Sequence, residues 1–354
     1  MTAPFAFART VVACGVLGWI ACLAINALVD PFDVLGTSVL PRYGGLQERY
    51  LKVQYLRRHP DPDTFLLGSS RVGTTRAEDV ERAFPGARAY NLAVSQANEW
   101  DAWMLARWLV STRPAVRRLF VQVDWPTSFG PDKPGHGLLT AMPPAITGED
   151  SRTFAARYVA SISLDAIALK LAYNLGSAEA LEYSIERGSW SRPARDATIE
   201  ADCAATPGRH RFLPRAASAP AKSSTLQRRI IDRNVEALRS LVAMARARGV
   251  QAVLYLTPHH RSALDRVDAS DYAYWLRGLA SVASFYNFAF YSDITTDDCA
   301  YYEGTHHRSA AAARVYRLIA AGHTVDGAMR RVDRNNIDAE IAFARANFAR
   351  HRGP

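Results

Sequence analysis

The run Gly68-Ser69-Ser70-Arg71 closes the apolar stretch TFLLG, and far downstream the turn YYEGTHH sets Glu303 three residues before His306. These are the residue types of nucleophilic acyl chemistry. A serine hydroxyl is a poor nucleophile until a base takes its proton. An imidazole can do so with one ring nitrogen while a carboxylate holds the other N–H and stabilises the imidazolium. Glu303 and His306 share one short turn, so one turn can aim both side chains at a pocket. Taken alone, Gly-Ser-Ser fits a helix N-cap equally well, and YYEGTHH fits an exposed polar turn. Asp297 and Asp298 are alternative acids for the histidine. No CxxC, HExxH or comparable spacing suggests a metal, and no cofactor is expected.

Such residues need a scaffold that brings distant strand ends together. TFLLG is bounded by Pro62 and Gly68 and reads as a buried strand. TRAEDVERAF follows as a helix with Thr75 as its candidate N-cap, and ARAYNLAV as a second strand. In ANEWDAWMLARWLVSTRP, Trp100, Trp103, Met104, Arg107 and Trp108 recur at helical spacing until Pro114. RRLFVQVDW is a third strand. After a Pro/Gly-rich stretch, TFAARYVASISLDAIALKLAYNL reads as helix, and residues 187–224 are polar and aperiodic. Alternation resumes with a long helix from Leu226 to Gly249, the strand VQAVLYLTP, a helix YAYWLRGLASVASFY, a short strand FAFYSD and a helix ending at Gly322. The last segment is amphipathic and basic, suited to fold back on the domain or to lie at a membrane surface.

Strand–helix alternation predicts an α/β fold: a doubly wound, mostly parallel sheet with helices on both faces. Ligands of such sheets bind outside the carboxyl ends of the strands. That rule selects residues 68–71, residues 95–98 with Gln96 and Asn98, the pair Asp124-Trp125, and residues 257–260 with His260; the turn carrying Glu303 and His306 is a fifth position. Arg71, beside the serines, has the chemistry to hold an anionic sugar or phosphate. His260 is a pocket-lining candidate, and Trp125 and Trp190 are candidate sugar-stacking residues.

The 354 residues are 49% hydrophobic and 22% charged, a globular balance with a net charge of +9. The arginines are scattered and no nucleic-acid-binding module is recognisable, so nucleic acid is not an expected partner. The twenty residues Thr10 to Val29 carry no charge and match a ~30 Å hydrocarbon core. Arg9 precedes the run and Asp30 and Asp33 follow it, which favours an inner-membrane anchor with the rest of the chain in the periplasm or its equivalent. Ile25 spoils a signal-peptidase site, so an uncleaved single-pass anchor is expected. The resulting division is a cytoplasmic segment 1–9, an anchor 10–29, a connector 30–62, an α/β domain 63–322 with an irregular insert at about 126–224, and a basic helical tail 323–354. Cys203 and Cys299 both fall outside the anchor, where an oxidising compartment would allow them to pair.

Together these features resemble the SGNH (GDSL) hydrolase superfamily from about Asp63 to Ala321, across a poorly matching middle. The resemblance selects Ser70 over Ser69 as nucleophile, and the Gly-Ser-Ser form is similar to that of membrane-anchored cell-envelope members. Among these are the D-alanine transfer protein of lipoteichoic acid synthesis and the alginate O-acetylation proteins. The family's late Asp-x-x-His block aligns with Glu303 to His306, glutamate replacing aspartate. Its second block implies an oxyanion amide at Gln96, where glycine is usual; glutamine there implies an ordinary φ and an altered loop. Its third block implies an asparagine donor where this chain has Asp124, and an ionised aspartate cannot donate; Asn98 is the replacement candidate, whereas Asn91 is expected to be structural. The resemblance thus implies a serine esterase or O-acyltransferase with catalytic Ser70, His306 and Glu303. Its oxyanion donors are Ser70, Gln96 and Asn98, and Arg71, Asp124, Trp125 and His260 lie near the substrate. The implied partners are an acylated cell-envelope glycan and a membrane-bound O-acyltransferase. The altered second and third blocks support an alternative, a weak or inactive scaffold subunit of an envelope-modifying complex.

Overall fold

A computed structural model describes residues 3–40, 47–123, 141–161, 163–176, 181–207 and 225–352. In chain order the helices are α1 (Ala3–Val29), α2 (Glu48–Arg58), α3 (Ser70–Gly73), α4 (Ala77–Ala83), α5 (Glu99–Thr112), α6 (Pro144–Thr147) and α7 (Ser151–Ala160). They continue with α8 (Leu164–Asn174), α9 (Pro193–Ala205), α10 (Thr225–Ala247), α11 (Arg261–Leu264), α12 (Ala269–Val282), α13 (Ser309–Ala321) and α14 (Ile337–Arg352). The strands are β1 (Thr64–Leu67), β2 (Ala89–Asn91), β3 (Arg118–Val123), β4 (Glu182–Ser184), β5 (Ser189–Ser191), β6 (Gln251–Leu256), β7 (Phe285–Asn287) and β8 (Arg330–Val332). The chain forms two compact units, Met1–Gln54 with Gly135–Leu181, and Tyr55–Pro134 with Glu182–Pro354.

The first unit is organised by the end of α1. Phe7–Val29 is a 23-residue stretch of mean hydropathy 2.2, long and apolar enough to cross a membrane. Its last turn carries one polar residue on a covered side. Asn26 is fully buried, and its side-chain amide donates to the carbonyls of Tyr158, Val159 and Ser161 at 2.9, 3.0 and 2.9 Å. The Asp30 carboxylate accepts the N–H groups of Val34, Leu35 and Gly36 at 2.8–3.0 Å and the hydroxyl of Tyr158 at 2.8 Å. Lys170 of α8, fully buried, reaches the Asp30 carbonyl at 2.8 Å and Asp33 at 2.7 Å. A buried ammonium is stable only with such partners. Within the expected connector 30–62, Asp30 and Asp33 thus find partners in Tyr158 and Lys170, more than a hundred positions away.

The second unit is built on a six-stranded sheet of order β2-β1-β3-β6-β7-β8, parallel except for β8. Consecutive residues Phe65, Leu66 and Leu67 are all fully buried, which marks a strand covered on both faces. Leu66, Phe120 and Tyr255 pack with Val80 of α4 and Val315, Tyr316 and Ile319 of α13. α5 contacts β1 and β3, and α10 contacts β6 and packs on α5 and α12.

Several expected boundaries shift for local reasons. The strand expected at FAFYSD is Phe285–Asn287 instead. The Asn287 side chain accepts the Ala289 N–H at 2.9 Å, a turn that ends the strand. The helix after Ser70 starts with Arg76, not Thr75, at its N-cap. The single helix expected across residues 153–175 is two, divided at Ser161, with Ser163 capping the second. The stretch 187–224 is not wholly irregular: β5 lies in it and pairs with the preceding β4, and α9 begins on Pro193. The tail 323–354 belongs to the domain. β8 pairs with β7, and Asn347 of α14 exchanges two 2.9 Å hydrogen bonds with the Tyr291 backbone.

Candidate active site

β1 delivers the Gly-Ser-Ser turn. A side chain at Gly68 would sit 2.3 Å from the Gln122 side chain of β3, so that position tolerates only glycine. Gln122 uses the space: its oxygen accepts the Ser69 N–H at 2.7 Å and the Ser69 hydroxyl at 3.2 Å. Ser69 is the N-cap of α3, accepting the Arg71 N–H. Ser70 is then the first helical residue, whose N–H has no intrahelical acceptor. Asn91, fully buried, donates to the carbonyls of Val72 and Thr75 at 2.8 and 2.9 Å and accepts from Ala93. Its expected structural role is to hold the far end of α3.

The Ser70 Oγ lies 2.8 Å from His306 Nε2. His306 Nδ1 is hydrogen-bonded to Glu303 Oε1. A carboxylate at Nδ1 fixes the proton there, so Nε2 accepts from the serine. The same Glu303 oxygen accepts the His306 N–H at 2.7 Å and the Thr305 hydroxyl at 2.9 Å. The extra methylene of glutamate is thus absorbed by folding the carboxylate back over its own turn. Burial pushes the Glu303 pKa up, but hydrogen bonding and charge interaction with His306, with help from Thr305, prevail and hold it at about 2. Asp297 caps the short helical turn Asp298–Ala300 and Asp298 bonds His260, so both alternative acids are engaged elsewhere. The turn is tied to its surroundings by Tyr302 N–H to His306 O at 2.9 Å, by His260 N–H to Gly304 O at 3.1 Å, and by the Thr74 hydroxyl to His307 O at 3.1 Å. The His306 and Glu303 side chains are 31% and 35% exposed, so the pair is reachable from solvent.

The loop after β2 runs beside β1, with Leu92 N–H bonded to Leu66 O and Val94 N–H to Gly68 O, each at 2.9 Å. Gln96 follows with φ +56°, the left-handed conformation of a glycine. The expectation of an ordinary φ is overturned: the loop keeps the glycine geometry and carries its cost, roughly 1–2 kcal/mol. We expect Gln96→Gly to raise stability by about 0.5–1 kcal/mol, the strain relieved less the entropy glycine adds to the unfolded chain. The urea midpoint measures it, and the backbone amide at position 96 is retained. Asn98 is the N-cap of α5 in a capping box with Asp101, its oxygen accepting the Asp101 N–H at 3.0 Å. Asp124 and Trp125 lie outside the described residues.

His260 does not line an open pocket. It is 2% exposed, with Nε2 2.9 Å from Asp298 and Nδ1 2.8 Å from Ser262. Burial pushes its pKa down, against the pull of Asp298. Its backbone N–H braces the turn that carries Glu303 and His306. Trp190 is 8% exposed, its indole packs so closely on Gly73 that a side chain there would meet the ring nitrogen at 2.1 Å, and it lines a cavity of about 280 Å³ with Tyr183 and Tyr302. Arg71 is half-buried beside Ser70. Cys203 and Cys299 form a disulfide with a Cα–Cα distance of 6.2 Å, joining α9 to the segment before the Glu303–His306 turn. Arg308 reinforces this link, bonding Asp196 and Glu200 of α9 at 2.6 Å each. Replacing both cysteines by serine should cost on the order of 4–5 kcal/mol, given a closed loop of about a hundred residues; a reductant should lower the wild-type denaturation midpoint equally.

Sequence reasoning missed Gln122, Thr74 and the bracing role of His260. Gln122 carried a signal, a lone amide inside the apolar strand LFVQV. Comparison with family models, curated proteins and solved structures finds no match to this chain.

Proposed function

We propose that this chain is a membrane-anchored, extracytoplasmic serine esterase or O-acyltransferase of the SGNH type, acting on an ester of a cell-envelope glycan. The observation that carries the proposal is the hydrogen-bonded relay Ser70–His306–Glu303. The strand order, with its switch point between β1 and β3, matches a doubly wound, flavodoxin-like sheet, and Ser70 stands at that switch point. Ser70 Oγ attacks the ester carbonyl and passes its proton to His306 Nε2, while Glu303 stabilises the imidazolium. The Ser70 N–H, the Gln96 N–H and the Asn98 amide are the donors offered to the oxyanion. The intermediate collapses, the alcohol leaves with the proton of His306, and water or a glycan hydroxyl resolves the acyl-serine. The apolar α1 supports an anchor, and the disulfide supports an oxidising compartment. The net charge of +9 suits an acidic glycan, and a membrane-bound O-acyltransferase is the partner class that would supply acyl groups.

Gln96 in a glycine's place favours a second reading, a non-catalytic subunit of the same kind of complex. A fluorophosphonate probe separates them. The first reading expects one phosphonylated residue, Ser70, by peptide mass spectrometry, with hydrolysis of p-nitrophenyl acetate. Folded protein that neither labels nor hydrolyses would sink it in favour of the second.

A further inference from the structure

Outside α1, six large hydrophobic side chains are exposed among the described residues, and five belong to the first unit: Val39, Leu164, Leu169, Leu171 and Leu175. The sixth, Tyr274, donates its hydroxyl to Asp232 in the second unit. Three of the five form a stripe, since Leu164, Leu171 and Leu175 stand at i, i+7 and i+11 with Ala168 between them, all on one helical face. The opposite face of α8 is buried through Ala166, Ile167, Lys170 and Tyr173. The helix thus carries apolar residues on both faces, with its leucines outward.

Its hydrogen bonds set its depth relative to α1. Asn26 lies three residues inside the end of the apolar stretch Phe7–Val29. That stretch is about 34 Å long at ~1.5 Å per residue, against a ~30 Å hydrocarbon core. Asn26 therefore stands near the outer edge of that core, and the carbonyls it bonds, up to Ser161, stand at the same level. α8 starts three residues later and is held at Lys170 to Asp30 and Asp33, just past the end of α1. Val39 returns to the same place, its N–H bonding Leu28 O at 3.0 Å. Ile25 and Leu28, in the last two turns of α1, remain 49% and 55% exposed.

We infer that the outward face of α8, with Val39, seats in the boundary between headgroups and acyl chains of the bilayer that α1 crosses. The first unit is then an interfacial collar, held to the membrane by two contacts instead of a single tether. The inference rests on α1 being a membrane anchor, and it leaves the acyl chemistry unaffected whether true or false.

The test uses the full chain in phosphatidylcholine nanodiscs, with Cys14→Ala and Cys22→Ala and the disulfide intact. Single probes of NBD are attached at Leu164→Cys, Leu171→Cys and Leu175→Cys, with Val16→Cys in α1 and the exposed Arg152→Cys as references. All five sites are exposed, so labelling disturbs no packing. With a nitroxide-tailed lipid, fluorescence should be lost at the three α8 positions and at position 16, and kept at position 152. Loss at position 16 with none in α8 overturns the collar and leaves the anchor standing. No loss at position 16 overturns both. Protection of α8 labels only in protein isolated with a membrane partner assigns the face to that partner and overturns the lipid seat.

Discussion

Ser70→Ala, His306→Ala and the double variant should each lose about the same acyl-transfer activity, on the order of 10⁶-fold in kcat where chemistry limits the rate. The equality follows from the geometry. Ser70 Oγ has its base 2.8 Å away in His306 Nε2, so without the imidazole the hydroxyl is a poor nucleophile, and without the hydroxyl the imidazole has nothing to activate. Residues that act as one unit are grossly non-additive. The activity left in all three variants would come from the oxyanion donors and substrate binding, which none of them removes. The measurement is kcat and KM on p-nitrophenyl acetate, with fluorophosphonate labelling alongside. Labelling should vanish in Ser70→Ala and become very slow in His306→Ala. Losses that multiply in the double variant would show two independent residues and reject the relay. Both side chains sit on turns fixed mainly by backbone and by Asn91, Gln122 and Thr74, so unfolding midpoints should stay near wild type.

What could be seen in advance follows from how local the determining physics is. The nucleophile turn was legible because an apolar strand ending in Gly68 is a local pattern, and the acid–histidine pair because Glu303 and His306 share one turn. The choice of Glu303 over Asp297 and Asp298 rested on the resemblance and not on local pattern, because physically it depends on where each carboxylate finds its partner, and Asp298 finds His260 thirty-eight residues away. The left-handed Gln96 ran against residue preference: propensity argued for an ordinary φ, and the surrounding loop overrode it. The first unit was illegible for the same reason as the role of Lys170. Nothing near Asp30 in sequence signals that its carbonyl and carboxylate are satisfied by residues 158 and 170. β8 was hidden in a basic segment because an antiparallel edge strand of three residues has too little periodicity to register.

The second large effect is expected at Glu303. Glu303→Gln should lower kcat by about 10²–10⁴-fold with little change in KM, since the charge acts on the imidazolium that forms only during reaction. The substitution isolates charge from geometry. The Glu303 oxygen that meets His306 Nδ1 also accepts the His306 N–H at 2.7 Å and the Thr305 hydroxyl at 2.9 Å. Those donors would hold the glutamine oxygen in the same place. A loss below tenfold would show that the carboxylate only shapes the turn. Stability gives an independent check through its pH dependence. Glu303 has its folded pKa depressed to about 2 from an ordinary 4.5. A depressed acid stabilises the fold above its unfolded pKa, and that contribution disappears as pH falls through the folded value. The wild type should therefore exceed Glu303→Gln in unfolding midpoint above pH 4.5, and the two should converge as pH falls towards about 2. A gap that stays constant over that window would mean the carboxylate is not ionised against His306, and the relay would lose its third member.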